Sequence, residues 1–185
     1  MSFKAFLHTN WLNAVTAVLF AVAFWRIGLS PELPAVLAFV FGGVLLAVID
    51  WRVQRLPRRI VFSTLGAVAG GLVFAAAVSR DWQALVTAVM GALLFSSAFF
   101  VIWLVTTRLT GMVMLGFGDV RLAVVLGMLL GWYGLPFVLY GAIVGHLFAL
   151  AIAVAMSLRD RRVHVRYSFG PPLIAGTLAV VLIAG

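Results

Sequence analysis

The sequence has no cysteine, a single lysine (Lys4) and only five acidic residues among its 185. The missing cysteine excludes disulfides, thiolate metal sites and cysteine nucleophiles. The three histidines, His8, His146 and His164, are far apart in the chain and show no metal-ligand spacing, so neither a metal nor another cofactor is expected. Charge of either sign is sparse at 10% of residues, and no basic segment is interleaved with aromatics. The net charge of +8 is therefore not read as a nucleic-acid surface.

What the chain does have is apolar length. Hydrophobic residues make up 65% of it and the mean hydropathy is +1.20, whereas soluble domains hold roughly 45–50% apolar residues. Several runs reach the roughly 20 residues a helix needs to cross a bilayer. The expected fold is an all-α, polytopic membrane bundle forming one domain over residues 1–185. Lys4 and the apolar run after it look like a secretory signal. Further spans follow, so the run is read as a retained first transmembrane helix.

Charge and proline divide the chain into about seven spans, near 11–29, 34–50, 60–78, 84–107, 119–132, 135–157 and 171–184. Pro34, Pro136 and the pair Pro171–Pro172 mark helix starts. The fifth and seventh spans are short. Gly66/Gly70 and Gly141/Gly145, each at four-residue spacing, suit close helix packing.

The basic residues set the orientation. One connection carries Arg52, Arg55, Arg58 and Arg59, and another carries Arg159, Arg161, Arg162 and Arg166. With the N-terminus cytoplasmic, both fall inside together with Lys4, Arg108 and Arg121, leaving only Arg26 and Arg80 outside. That is a strong positive-inside bias. The inner loops would also meet anionic lipid headgroups.

Three of the five acids read as solvated charges: Glu32 before a proline, Asp81 beside Arg80, and Asp160 among arginines. The other two differ. Asp50 ends the run FGGVLLAVID and Asp119 begins DVRLAVVLGMLLGW, which puts both at the cytoplasmic edge of the membrane. Singly, Asp119 could cap a helix and Asp50 could pair with an arginine. As a pair they could share a proton, one activating water and the other protonating a carbonyl oxygen and then a leaving amine. The helix dipole favours an anion at a helix start, so Asp119 is expected to be the ionised partner and Asp50 the proton donor. His146, inside the sixth span, reads as a packing or interhelical hydrogen-bonding residue.

Gly116 and Gly118 precede Asp119 and free the backbone beside it for close approach of a peptide. Three stretches then occur in order: DWRVQRLPRRIV from Asp50, GFGDVRLAVVLGMLLGW from Gly116 and YSFGPPLIAG from Tyr167. Together they resemble the type IV prepilin peptidases, membrane aspartyl proteases with a Gly-x-Gly-Asp motif. The resemblance implies Asp50 and Asp119 as the catalytic aspartates. It further marks Leu56, Pro57, Gly116, Gly118, Arg121, Phe169, Gly170 and Pro171 as motif or substrate-proximal residues.

The implied activity is removal of a short basic leader from prepilin-like proteins at the cytoplasmic face of the plasma (inner) membrane. Three departures from the family pattern bear on leader preference: Arg58 after Leu56–Pro57, Arg121 in place of lysine, and Pro172 after Phe169–Gly170–Pro171. Many relatives also carry a cysteine-rich insert and N-methylate the new terminus. No such insert is present, so a peptidase-only form is expected.

The presenilin class shares Gly-x-Gly-Asp, but it pairs its other aspartate with a tyrosine and ends in Pro-Ala-Leu. Here Ile49 precedes Asp50 and the late motif is Phe-Gly-Pro. A small membrane transporter or a non-catalytic scaffold of a pilus or secretion system is the alternative reading. A transporter places its acids near the bilayer midplane in repeated halves, and neither motif here has a second copy.

Overall fold

The computed structural model describes residues 10–110, 116–159 and 168–185. Lys4, His8, Asp160, Arg161, Arg162, His164, Arg166 and Tyr167 lie outside the described residues. Seven helices occur: α1 (Asn10–Ile27), α2 (Leu33–Val53), α3 (Arg58–Ser79), α4 (Trp82–Thr110), α5 (Phe117–Trp132), α6 (Leu135–Arg159) and α7 (Gly170–Ala184). The described residues include no strand. Each helix coincides with one expected span, with ends displaced by no more than three residues. The fold is an all-α membrane bundle.

Proline and left-handed residues set the boundaries. Pro34 lies in the first turn of α2, where its missing N–H costs nothing. At the other end of α2, Gln54 takes a left-handed conformation (φ 52°) and its N–H donates to the Asp50 carbonyl at 2.8 Å. That reversal releases the chain into Leu56–Pro57, and Pro57 becomes the N-cap of α3. Asp81, expected only as a surface charge, is exposed but caps α4: its Oδ1 accepts the Ala84 N–H at 3.0 Å.

α2, α3, α4 and α6 are each long and apolar enough to cross a membrane, while α1 and α7 are apolar but shorter. α5 has 16 residues, about 24 Å at 1.5 Å per residue. It is the most enclosed helix, and Leu122, Ala123, Val125, Leu126, Leu129 and Leu130 on it are fully buried. α3, α4 and α6 turn large apolar side chains outward, among them Phe74, Leu93 and Leu147. An apolar exterior of this kind suits lipid rather than water.

Small residues bring the helices together, though not at both expected pairs. A Cβ on Gly66 or Gly70 would meet nothing within 4 Å, so that pair faces open space and the packing role assigned to it is corrected. Gly71 does that work instead, with a Cβ there falling 2.8 Å from the Ala35 backbone of α2. Gly141 and Gly145 do pack, against Leu130 and Leu173. The tightest seam, between α4 and α5, uses Gly91, Gly127 and Gly131: a Cβ on Gly91 would lie 2.8 Å from the Gly131 Cα.

For His146 the packing alternative fits and the interhelical hydrogen bond does not. Its Nδ1 lies 2.7 Å from the Ala142 carbonyl on its own helix, not on a neighbour. Its ring sits 6.1 Å from that of Phe99 on α4.

Candidate active site

Four helix ends meet at one end of the bundle: the end of α2 and the starts of α3, α5 and α7. There the end of α2, the connection after it and the start of α5 line a cavity of about 330 Å³, with Asp50, Gln54, Arg55, Leu56, Gly116, Phe117, Gly118, Asp119 and Arg121 in its wall. Both aspartates are buried, Asp50 at 6% and Asp119 at 9% exposure, and both line the one cavity. Two acids separated by 68 intervening positions thus share one polar pocket in an apolar protein. Larger, more open grooves on the surface are lined mainly by apolar side chains and contain neither acid.

Asp119 does not occupy the N-cap of α5. Gly116 does, in extended conformation (φ −71°, ψ 139°), which places Asp119 in the third helical position. From there the carboxylate lies back over Gly116, its Oδ2 3.4 Å from where a Cβ on that glycine would stand. Gly118 faces the other way, and a Cβ on it would come within 3.1 Å of the Leu56 Cβ. The two glycines therefore serve different neighbours: Gly116 lies beside the acid, and Gly118 admits the Leu56–Pro57 turn.

Asp50 is held by α7. Its Oδ2 accepts the Gly170 N–H at 3.1 Å and also the Ser168 hydroxyl. Ser168 is itself buried at 8% exposure. Gly170 is the first residue of α7, so a helix N-terminus faces this carboxylate as well. The expected placement holds, with Asp119 in the first turn of α5 and Asp50 in the last turn of α2, but the Asp50 carboxylate also faces a second helix start. Each carboxylate meets the N-terminus of a helix, α5 for Asp119 and α7 for Asp50, and the dipole argument no longer separates their roles.

Of the other residues singled out, Leu56, Gly116, Gly118 and Arg121 line the cavity and Gly170 touches Asp50. Pro57 caps α3 behind Leu56. Phe169 is the N-cap of α7. Pro171 lies apart from the cavity, in an apolar groove with Trp11, Trp51 and Arg52. Arg121 stacks on Phe117, its guanidinium carbon 4.7 Å from the ring centroid. Phe117 in turn meets Trp103 edge-on at 5.2 Å.

Sequence reasoning missed Ser168, Gln54, Arg55 and Phe117. Ser168 lies in the quoted Tyr-Ser-Phe-Gly-Pro-Pro stretch two residues before the motif glycine. A hydroxyl just ahead of a helix start was the signal available there. Among the described residues no group of three or more acids and histidines is placed to hold a metal ion.

The family model described as the type IV leader peptidase family matches residues 37–154. The chain is 33% identical over 174 residues to the prepilin leader peptidase/N-methyltransferase of Escherichia coli K12, covering 91% of this chain and 73% of that protein. The proteins of the same name from Pseudomonas aeruginosa and Pseudomonas putida are 33% and 35% identical over 92% and 89% of this chain. The chain spans 57% and 55% of the lengths of those two relatives. No solved structure matches. The family match takes in Asp50, the Leu56–Pro57 turn and the Gly116–Asp119 motif, and this chain belongs to the type IV leader peptidase family.

Proposed function

We propose that this protein is an aspartyl endopeptidase of the membrane that removes the leader from prepilin-like precursors, with Asp50 and Asp119 as its catalytic pair. The observation that carries the reading is the shared cavity: among the described residues the two buried acids are the only carboxylates lining it. One carboxylate takes a proton from water as the water oxygen adds to the scissile carbonyl carbon. The other carboxylic acid gives its proton to the carbonyl oxygen. Collapse of the tetrahedral intermediate breaks the C–N bond, and the departing amine takes up a proton from the pair. No thiol, serine nucleophile or metal takes part in this scheme.

The substrate class comes from the relatives' names, and the location comes from the basic end of the bundle. Arg55 and Arg121 line the cavity and Arg52, Arg58 and Arg59 stand on the adjoining helix ends. By the positive-inside rule that end is cytoplasmic, which supports a plasma-membrane enzyme cutting at its inner face. The same arginines would contact anionic headgroups, and nucleic acid is not a proposed partner. Methyl transfer, the second activity in the relatives' names, is left out of the proposal. The cysteine-rich insert associated with it has no counterpart in these 185 residues.

The test uses purified protein in detergent with a precursor carrying a short basic leader, a glycine and an apolar helix. Asp50→Asn and Asp119→Asn should each lower cleavage by about 100-fold or more, while both variants still insert and accumulate. Substantial cleavage by either one would overturn the dyad.

A further inference from the structure

Helix starts usually offer several free N–H groups, which is what makes them anion sites. The start of α7 is an exception. Pro171 and Pro172 follow Gly170 immediately and carry no N–H. The next amide, Leu173, is occupied by the Phe169 carbonyl at 3.4 Å. Of the first turn, only the Gly170 N–H is left to meet Asp50, and it does so at 3.1 Å. The second donor on the same oxygen is the Ser168 hydroxyl, which comes from the residue before the N-cap.

We infer that Ser168 is a positioning residue for Asp50, supplying the donor that the double proline removes from the helix start. Ser168 and Gly170 both donate to Oδ2; among the described residues no donor is recorded on Oδ1, the oxygen this inference assigns to the reacting water or carbonyl. Several features agree. Ser168 is buried at 8% exposure, as is the acid it serves at 6%. A buried hydroxyl is costly unless it is paired, and the partner here is a carboxylate, the stronger kind of acceptor. Gly170 permits the approach, because a Cβ there would fall on Oδ2 and within 3.2 Å of the Asp50 Cγ. The interaction also joins parts of the chain 118 positions apart, so neither local turn geometry nor helix capping accounts for it. Ser168 and Gly170 both lie beyond the residues matched by the family model.

The inference rests on the aspartyl reading, and the experiment keeps the two separable. Cleavage by Ser168→Ala, Ser168→Thr and Asp50→Asn is compared in the purified full chain, with kcat and KM measured separately and thermal unfolding followed in the same detergent. Losing one charge-assisted donor should lower kcat in Ser168→Ala by about tenfold or more with KM little changed. Ser168→Thr, which keeps the hydroxyl, should recover most of that loss. Asp50→Asn should be inactive. If Ser168→Ala keeps wild-type kcat while Asp50→Asn is inactive, the positioning role is wrong and the dyad stands. An equal loss in the Thr and Ala variants without loss of thermal stability would overturn it too. If Asp50→Asn itself cleaves, the aspartyl reading fails first.

Discussion

A Cβ placed on Gly170 would collide with the carboxylate of Asp50, reaching within 3.2 Å of its Cγ. The backbone of one helix start is thus pressed directly against the acid that ends another helix. Gly170→Ala should push that acid off its position and cut the cleavage rate by about 100-fold. The protein should still accumulate, because the displaced group lies at the rim of the bundle. Gly66→Ala is the matched control on α3: it meets open space and should stabilise the helix by about 0.5–1 kcal/mol without changing cleavage. A Gly170→Ala variant as active as the control would contradict the geometry.

The α4–α5 seam makes a prediction about folding rather than chemistry. Gly127 is buried, and a Cβ on it would lie 2.8 Å from the Phe95 Cβ and closer still to the Gly91 carbonyl. Gly127→Val should therefore separate the two helices and destabilise the protein by about 1–3 kcal/mol or more. Thermal unfolding in detergent checks this. An unchanged midpoint would show that the seam yields without cost.

Orientation is tested with single cysteines, for which the cysteine-free chain needs no background changes. Cysteines at Arg55 and Arg162 should be protected from an impermeant thiol reagent in intact cells, and those at Asp81 and Gly185 should be labelled. External labelling at position 55 would invert the bundle and put the cavity on the opposite face.

Arg121 lines the aspartate cavity and also an apolar groove between α4 and α5. Among the described residues its recorded partner is the Phe117 ring rather than an acid. If it receives an acidic residue of the substrate, Arg121→Gln should lower cleavage of an acidic precursor more than cleavage of the same precursor neutralised. An unchanged ratio of kcat/KM values would assign the arginine to the membrane surface instead.

How much of this was legible follows from the kinds of signal involved. Helix positions were, because apolar runs broken by proline and arginine are one-dimensional features and hydrocarbon tolerates few alternatives to the helix. The Asp50 and Asp119 pair was legible as two costly charges at matching depth. Packing was legible only in part: Gly66/Gly70 and Gly141/Gly145 have the same spacing, yet one pair faces outward and the other faces a neighbour. Spacing places two residues on a common face without saying what that face meets. The partner of Ser168 was hidden for a similar reason. The importance of Ser168 lies in a contact with Asp50 across 118 positions, and a lone serine before a helix ordinarily reads as a local cap.

The clamp on Asp50 also fixes an order of events during synthesis. Chains are made from the N-terminus at about 5–20 residues per second, so both aspartates are synthesised before Ser168 and Gly170. A nascent chain stopped after α6 would hold the two acids with Oδ2 of Asp50 still unclamped. Competence to cut peptides would then arrive only as α7 docks. A protease made among the precursors it will process, and among other membrane proteins at the insertion site, would gain a short interval of built-in silence.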